Sequence, residues 1–156
     1  MKFKNFALKL AIIFLEVILT TIVFIIGISS LNEGKLEFSF PIVMFWITIL
    51  GSLFISYFVA FKLNNILKLI EKNKAFSVQT IETVRSIKKA MLILVILSFG
   101  ILPIVYMIAD LSDGPGFMIF GFLFVLLTIT MYVFTLIVEE LFTSAFNIQN
   151  ENNLTI

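Results

Sequence analysis

The sequence predicts an all-α fold, an integral membrane bundle of four transmembrane helices in a single domain, 1–156, and three observations carry that prediction. Four uninterrupted apolar runs, each long enough to cross a bilayer, occupy most of the 156 residues. Only 13% of the chain is charged, against about a quarter in an ordinary soluble domain, while 60% is hydrophobic and 19 residues are Phe. Ten of the 11 basic residues fall on one side of the membrane that the runs imply, Lys35 being the exception. Continuous apolar runs lack the alternation of a barrel strand, so the backbone must satisfy itself as helices.

The first run, Leu10–Leu31, holds Glu16 as its sole charge and spans roughly 30 Å at about 1.5 Å per residue. Lys2, Lys4 and Lys9 precede it as in a secretory signal. It is longer than a signal core of about 7–15 residues and closes on Ile28-Ser29-Ser30-Leu31 without a small-x-small exit, which predicts a retained helix. The second run, Phe38–Phe61, has Pro41 where a helix start tolerates a missing donor. Ser52, Ser56 and Ala60, with Gly51 beside them, give it a small-residue face for close approach of another helix, in the same chain or in a second copy forming a homo-oligomer. The third, Ala90–Ala109, contains Gly100 and Pro103; the proline cannot bond the carbonyl of Phe99, which predicts a kink. Asp113-Gly114-Pro115-Gly116 is a turn string leading into the fourth, Gly116–Val138.

Lysine and arginine set the orientation. Lys2, Lys4 and Lys9 precede the first run, Lys62, Lys68, Lys72, Lys74, Arg85, Lys88 and Lys89 lie between the second and third, and Lys35 stands alone in the outer connections Asn32–Glu37 and Asp110–Pro115. Both termini are therefore expected in the cytoplasm, with 139–156 as a tail carrying Glu139, Glu140 and Glu151.

The basic connection, 62–89, is patterned at helical spacing. Leu63, Ile66, Leu67 and Ile70 form one apolar stripe, Ile81, Val84, Ile87 and Met91 another, and Ser77 is placed as an N-cap between them. This predicts a cytoplasmic helical hairpin. Its lysines suit positive-inside retention against anionic headgroups of the lipid bilayer. As a protein-docking surface it would use Lys68, Lys72, Lys74, Phe76, Arg85, Lys88 and Lys89. With Phe76 as its one aromatic, the hairpin has neither groove nor stacking platform for direct nucleic-acid binding.

Glu16 is the one ionisable side chain deep within a span, where a carboxylate costs several kcal/mol unless protonated, paired or wet. Tyr57, Ser98 and Tyr132 fall at a similar depth. Glu16 is expected to face the bundle interior, bonded to a tyrosine hydroxyl or to Lys62, either as a structural contact or as a proton or cation site. Chemistry has few other footholds. The chain has neither Cys nor His, which removes thiol nucleophiles, disulfides, imidazole bases and Cys/His zinc sites. No Gly-rich phosphate loop or metal-ligand cluster is present, and Asp110 sits at the opposite edge from Glu16, so no facing carboxylate pair forms. The expectation is a non-enzyme with no catalytic residues, cofactor or metal.

Lys72-Asn73-Lys74-Ala75-Phe76-Ser77, followed by Ile81, Val84-Arg85 and Ile87, together with the ending Glu151-Asn152-Asn153-Leu154-Thr155-Ile156, resembles the small bacterial membrane family catalogued as domain of unknown function 2975. The family pattern usually has Gly at Asn73, Pro at Ala75, Asn at Thr80 and Gly at Lys88. The resemblance implies a four-helix protein of the bacterial cytoplasmic (inner) membrane, often encoded beside a small helix-turn-helix transcription regulator. It points to a regulatory membrane partner that binds or sequesters such a regulator. Two alternatives stand beside it: an immunity protein against a membrane-active peptide, and a small transporter or channel subunit using Glu16.

Overall fold

A computed structural model describes residues 2–32, 39–72 and 75–154. Its helices are α1 (Lys2–Asn32), α2 (Phe40–Glu71), α3 (Val78–Ser98), α4 (Leu102–Leu111) and α5 (Phe117–Leu154), with a 3-10 turn, Phe99–Ile101, between α3 and α4. No strand occurs among the described residues. Among the described residues four helical stretches are long and apolar enough to cross a membrane, α3, the 3-10 turn and α4 acting as one. Lys35 and Lys74 lie outside the described residues.

Local chemistry sets the helix ends. Pro41 stands in the first turn of α2, and the Ser39 carbonyl accepts from the N–H groups of Ile42 and Val43, both at 3.1 Å. Ser77 caps α3, its hydroxyl accepting from the Thr80 N–H at 3.4 Å. After α4 the chain turns at Asp113, whose φ of 48° is a conformation that aspartate tolerates better than most residues, and the Gly114 N–H reaches the Ala109 carbonyl at 3.0 Å.

Pro103 breaks the third span as its missing N–H demands. The Phe99 carbonyl accepts instead from Leu102, tightening the chain into the 3-10 turn. α2 packs directly on this break. Thr48, 2% exposed, places Oγ1 3.1 Å from the Leu97 carbonyl and 2.9 Å from its own Met44 carbonyl. Gly100 is what permits the approach, since a Cβ there would overlap Thr48 Oγ1. On the other side of α3 the Thr128 hydroxyl, 3.0 Å from Ser98 Oγ, ties the break to α5.

The principal core sits toward the lysine-rich end. Ile55, Val59 and Ile66 of α2 meet Val84, Ile87 and Ala90 of α3, with Val138 and Phe142 of α5 packed against them. α5 is 38 residues long, about 57 Å at the helical rise, so it far exceeds a hydrocarbon core of roughly 30 Å. The segment that the sequence assigns to a tail therefore continues as helix to Leu154, and the expected two-helix hairpin is a three-helix end. Leu63, on the α2 stripe by spacing, stays 38% exposed. α1 stands apart from this arrangement, its one extensive interface among the described residues being with α2.

Candidate functional site

Antiparallel packing of α1 on α2 draws the chain's deep carboxylate into a seam. At one end Lys9 Nζ bonds Glu71 Oε1 at 2.7 Å; at the other, Gly27 lies against the Trp46 ring. Between them Glu16 is 8% exposed, and Ser56 donates its hydroxyl to Glu16 Oε1 at 2.7 Å. The Thr20 hydroxyl donates to the Glu16 backbone carbonyl at 2.7 Å. Its single proton is then spent, so the Tyr57 hydroxyl, 2.6 Å away, donates to it. Glu16 Oε2 is enclosed with no hydrogen-bond partner, and so is Asn64 Oδ1 further along α2. Beside them runs a groove of about 400 Å³ to which Lys9, Glu16, Tyr57, Phe61 and Asn64 all contribute.

Three parts of the expected layer differ. Glu16 bonds a serine, with Tyr57 one step removed through Thr20. Lys62 does not pair with it; its ammonium lies 5.3 Å above the Phe58 ring, one turn back on the same helix. Ser98 sits at the break in the third span with Thr128, and Tyr132 is on α5, half-buried; neither joins Glu16. Equal depth in a bilayer does not fix azimuth, and among the described residues α1 makes no extensive interface with α3 or α5. Ser56 carried the available signal, because the small-residue face to which it belongs is the face that admits α1.

At the basic end α5 engages part of the expected docking set. The Phe76 ring lies 5.9 Å from that of Phe142, Arg85 Nε bonds Glu139 Oε1 at 3.1 Å, and Lys88 Nζ bonds Glu139 Oε2 at 2.5 Å. Phe76 nonetheless remains 47% exposed, and Lys68, Lys72 and Lys89 are on the surface. Among the described residues no group of three or more acidic side chains is placed to hold a metal ion.

Residues 27–156 match the family described as "Protein of unknown function (DUF2975)". A Bacillus subtilis (strain 168) protein, "Uncharacterized membrane protein YoaS", is 29% identical over 100 residues, which cover 64% of this chain and 62% of that protein. No solved structure matches. The family match opens at Gly27, so Glu16 precedes it, whereas Ser56, Tyr57 and Asn64 fall within it. Because it takes in α2 to α5 entire, this chain is a membrane protein belonging to the DUF2975 family.

Proposed function

We propose that the chain is a non-enzymatic partner protein of the bacterial cytoplasmic membrane, both termini inside, that docks a small helix-turn-helix regulator on the joint end of α2, α3 and α5. One observation supports this reading: each of the three stretches is longer than a bilayer is thick, and the core that joins them continues beyond the apolar runs to Ile66, Val84 and Ile87, all buried. Retention in the membrane needs only charge, whereas a built platform favours a protein contact. Lys68, Lys72 and Lys89 on its surface suit an acidic patch, and Glu140, exposed on α5, suits the basic recognition helix of a DNA-binding partner. The lysine distribution supports the inward orientation.

The test is co-purification from native membranes of the full chain and of a Lys68→Glu, Lys72→Glu, Lys89→Glu variant. The expected result is a helix-turn-helix protein recovered with the first and lost with the second. Identical partners on both, or no DNA-binding protein on either, overturns the proposal.

A further inference from the structure

The groove between α1 and α2 changes character along its length. Ile12, Ile13, Val17, Ala60 and Phe61 line its deeper part, whereas Lys9 and Asn64 line its shallow end. Ile13, Val17 and Phe61 are exposed members of the apolar runs, so the deeper part opens on hydrocarbon. Asn64 lies past Phe61, where the lysines begin. Glu16 also borders the groove, but its carboxylate is engaged in the seam, Oε1 held by Ser56 and Oε2 enclosed.

We infer that this groove seats an anionic phospholipid, one acyl chain lying along Ile13, Ala60 and Phe61 and the phosphate held at the shallow end by Lys9 and Lys68. Spacing brings Lys68 to the site. Tyr57, Phe61, Asn64 and Lys68 recur at intervals of four, three and four, which sets the lysine on the groove's own stripe of α2, one turn past Asn64. It is exposed, and among the described residues it has no ion-pair partner. Lys9 gives Glu71 one hydrogen bond at 2.7 Å, and an ammonium has three donors, so two are left for phosphate oxygens. Glu71 takes back one charge at this rim, but Lys68 and Lys72 keep it positive. Basic pockets between spanning helices are a recurrent way of holding acidic headgroups. Size and solvent favour a lipid over other occupants. A groove of about 400 Å³ is too narrow for a helix about 10–12 Å across, yet it takes a flexible hydrocarbon chain. A free phosphate would use the lysines and ignore the apolar stretch that leads up to them.

The experiment uses the full chain in nanodiscs, with Trp46→Phe removing the native tryptophan and Phe61→Trp placing a single reporter on the groove wall. Its quenching is read with phosphatidylglycerol and with phosphatidylcholine, both carrying the same acyl chains brominated near the glycerol end. The ratio of the two reports headgroup preference at that spot. Phosphatidylglycerol is expected to be favoured about fivefold or more, and Lys68→Gln, a change at an exposed residue, to cut the ratio about fivefold, the scale of one lysine near an acidic headgroup. Ala60→Leu, which fills the groove and leaves every charge in place, is expected to lower the ratio as well. A second reporter, Phe134→Trp, stands on the surface of α5 beside Met91 and reads lipid contact outside the groove. Its ratio is expected to be the smaller. A circular dichroism melt establishes that each variant is folded. A ratio near one at Phe61→Trp, equal ratios at the two reporters, or a ratio unmoved by Lys68→Gln or by folded Ala60→Leu overturns the inference.

Discussion

Substituting Gly100 by alanine tests the packing of α2 on the broken third span. The new Cβ would overlap Thr48 Oγ1, a hydroxyl already held 2.9 Å from the Met44 carbonyl and 3.1 Å from the Leu97 carbonyl. Its other contacts would be ordinary, 3.5 Å to the Met44 carbonyl oxygen and 3.7 Å to Thr48 Cβ. The penalty thus rests on one atom. Overpacking of this kind costs about 1–3 kcal/mol. Thr48→Ala alone removes the hydrogen bond to Leu97, worth about 0.6 kcal/mol on average and up to about 1.7 between membrane helices. With the hydroxyl gone, Gly100→Ala has nothing to strike, so the double variant should lie close to Thr48→Ala by itself. The coupling is then about 1–3 kcal/mol in favour of the pair, within the range for residues in contact. The assay is reversible unfolding in mixed micelles followed by far-ultraviolet circular dichroism, run on all four corners of the cycle. Additivity to within about 0.5 kcal/mol would refute the claim that the Gly100→Ala penalty rests on this one oxygen.

Glu139→Gln should loosen the three-helix end by about 1 kcal/mol, because it weakens the bonds from both Arg85 and Lys88, and the loss should shrink at high salt; melts at two ionic strengths check this. Phe142→Ala removes a ring that packs on the core and against Phe76, and about 2 kcal/mol of destabilisation is expected, below the roughly 3–5 of a fully buried phenylalanine. Limited proteolysis should then cut sooner within the 75–89 stretch. Since the chain has no native cysteine, single cysteines report topology without background. An impermeant maleimide on intact cells should label substitutions at Lys35 and Asp113 and spare one at Lys74, the reverse pattern counting against the inward orientation.

The number of spans was legible because hydrocarbon imposes long apolar runs whatever the packing. The break at Pro103 was legible because a missing N–H is a local fact of the sequence, as was Ser77 at the start of α3. Azimuth was not. Depth alone grouped Glu16 with Ser98 and Tyr132, yet which face of α1 meets which helix follows from packing among near-uniformly apolar surfaces, where a hydrophobic pattern carries little directional information. The extension of α5 was hidden for a related reason. Residues 139–151 are polar enough to read as a tail, and only contacts such as Phe142 on Phe76 and Glu139 on Lys88 show that they are tied back. Thr128 escaped notice because hydroxyls are common in apolar helices, and its meaning comes from the Ser98 opposite.

The one-sided attachment of α1 makes its boundary with α2 the easiest joint in the molecule to open. Prising it apart disturbs chiefly the α1–α2 interface, leaves the packing of α2, α3 and α5 in place, and pulls on the Lys9–Glu71 clasp at its margin. Glu71 is the last residue of α2, so strain at that clasp arrives at the lysine-rich end where α2, α3 and α5 are packed together.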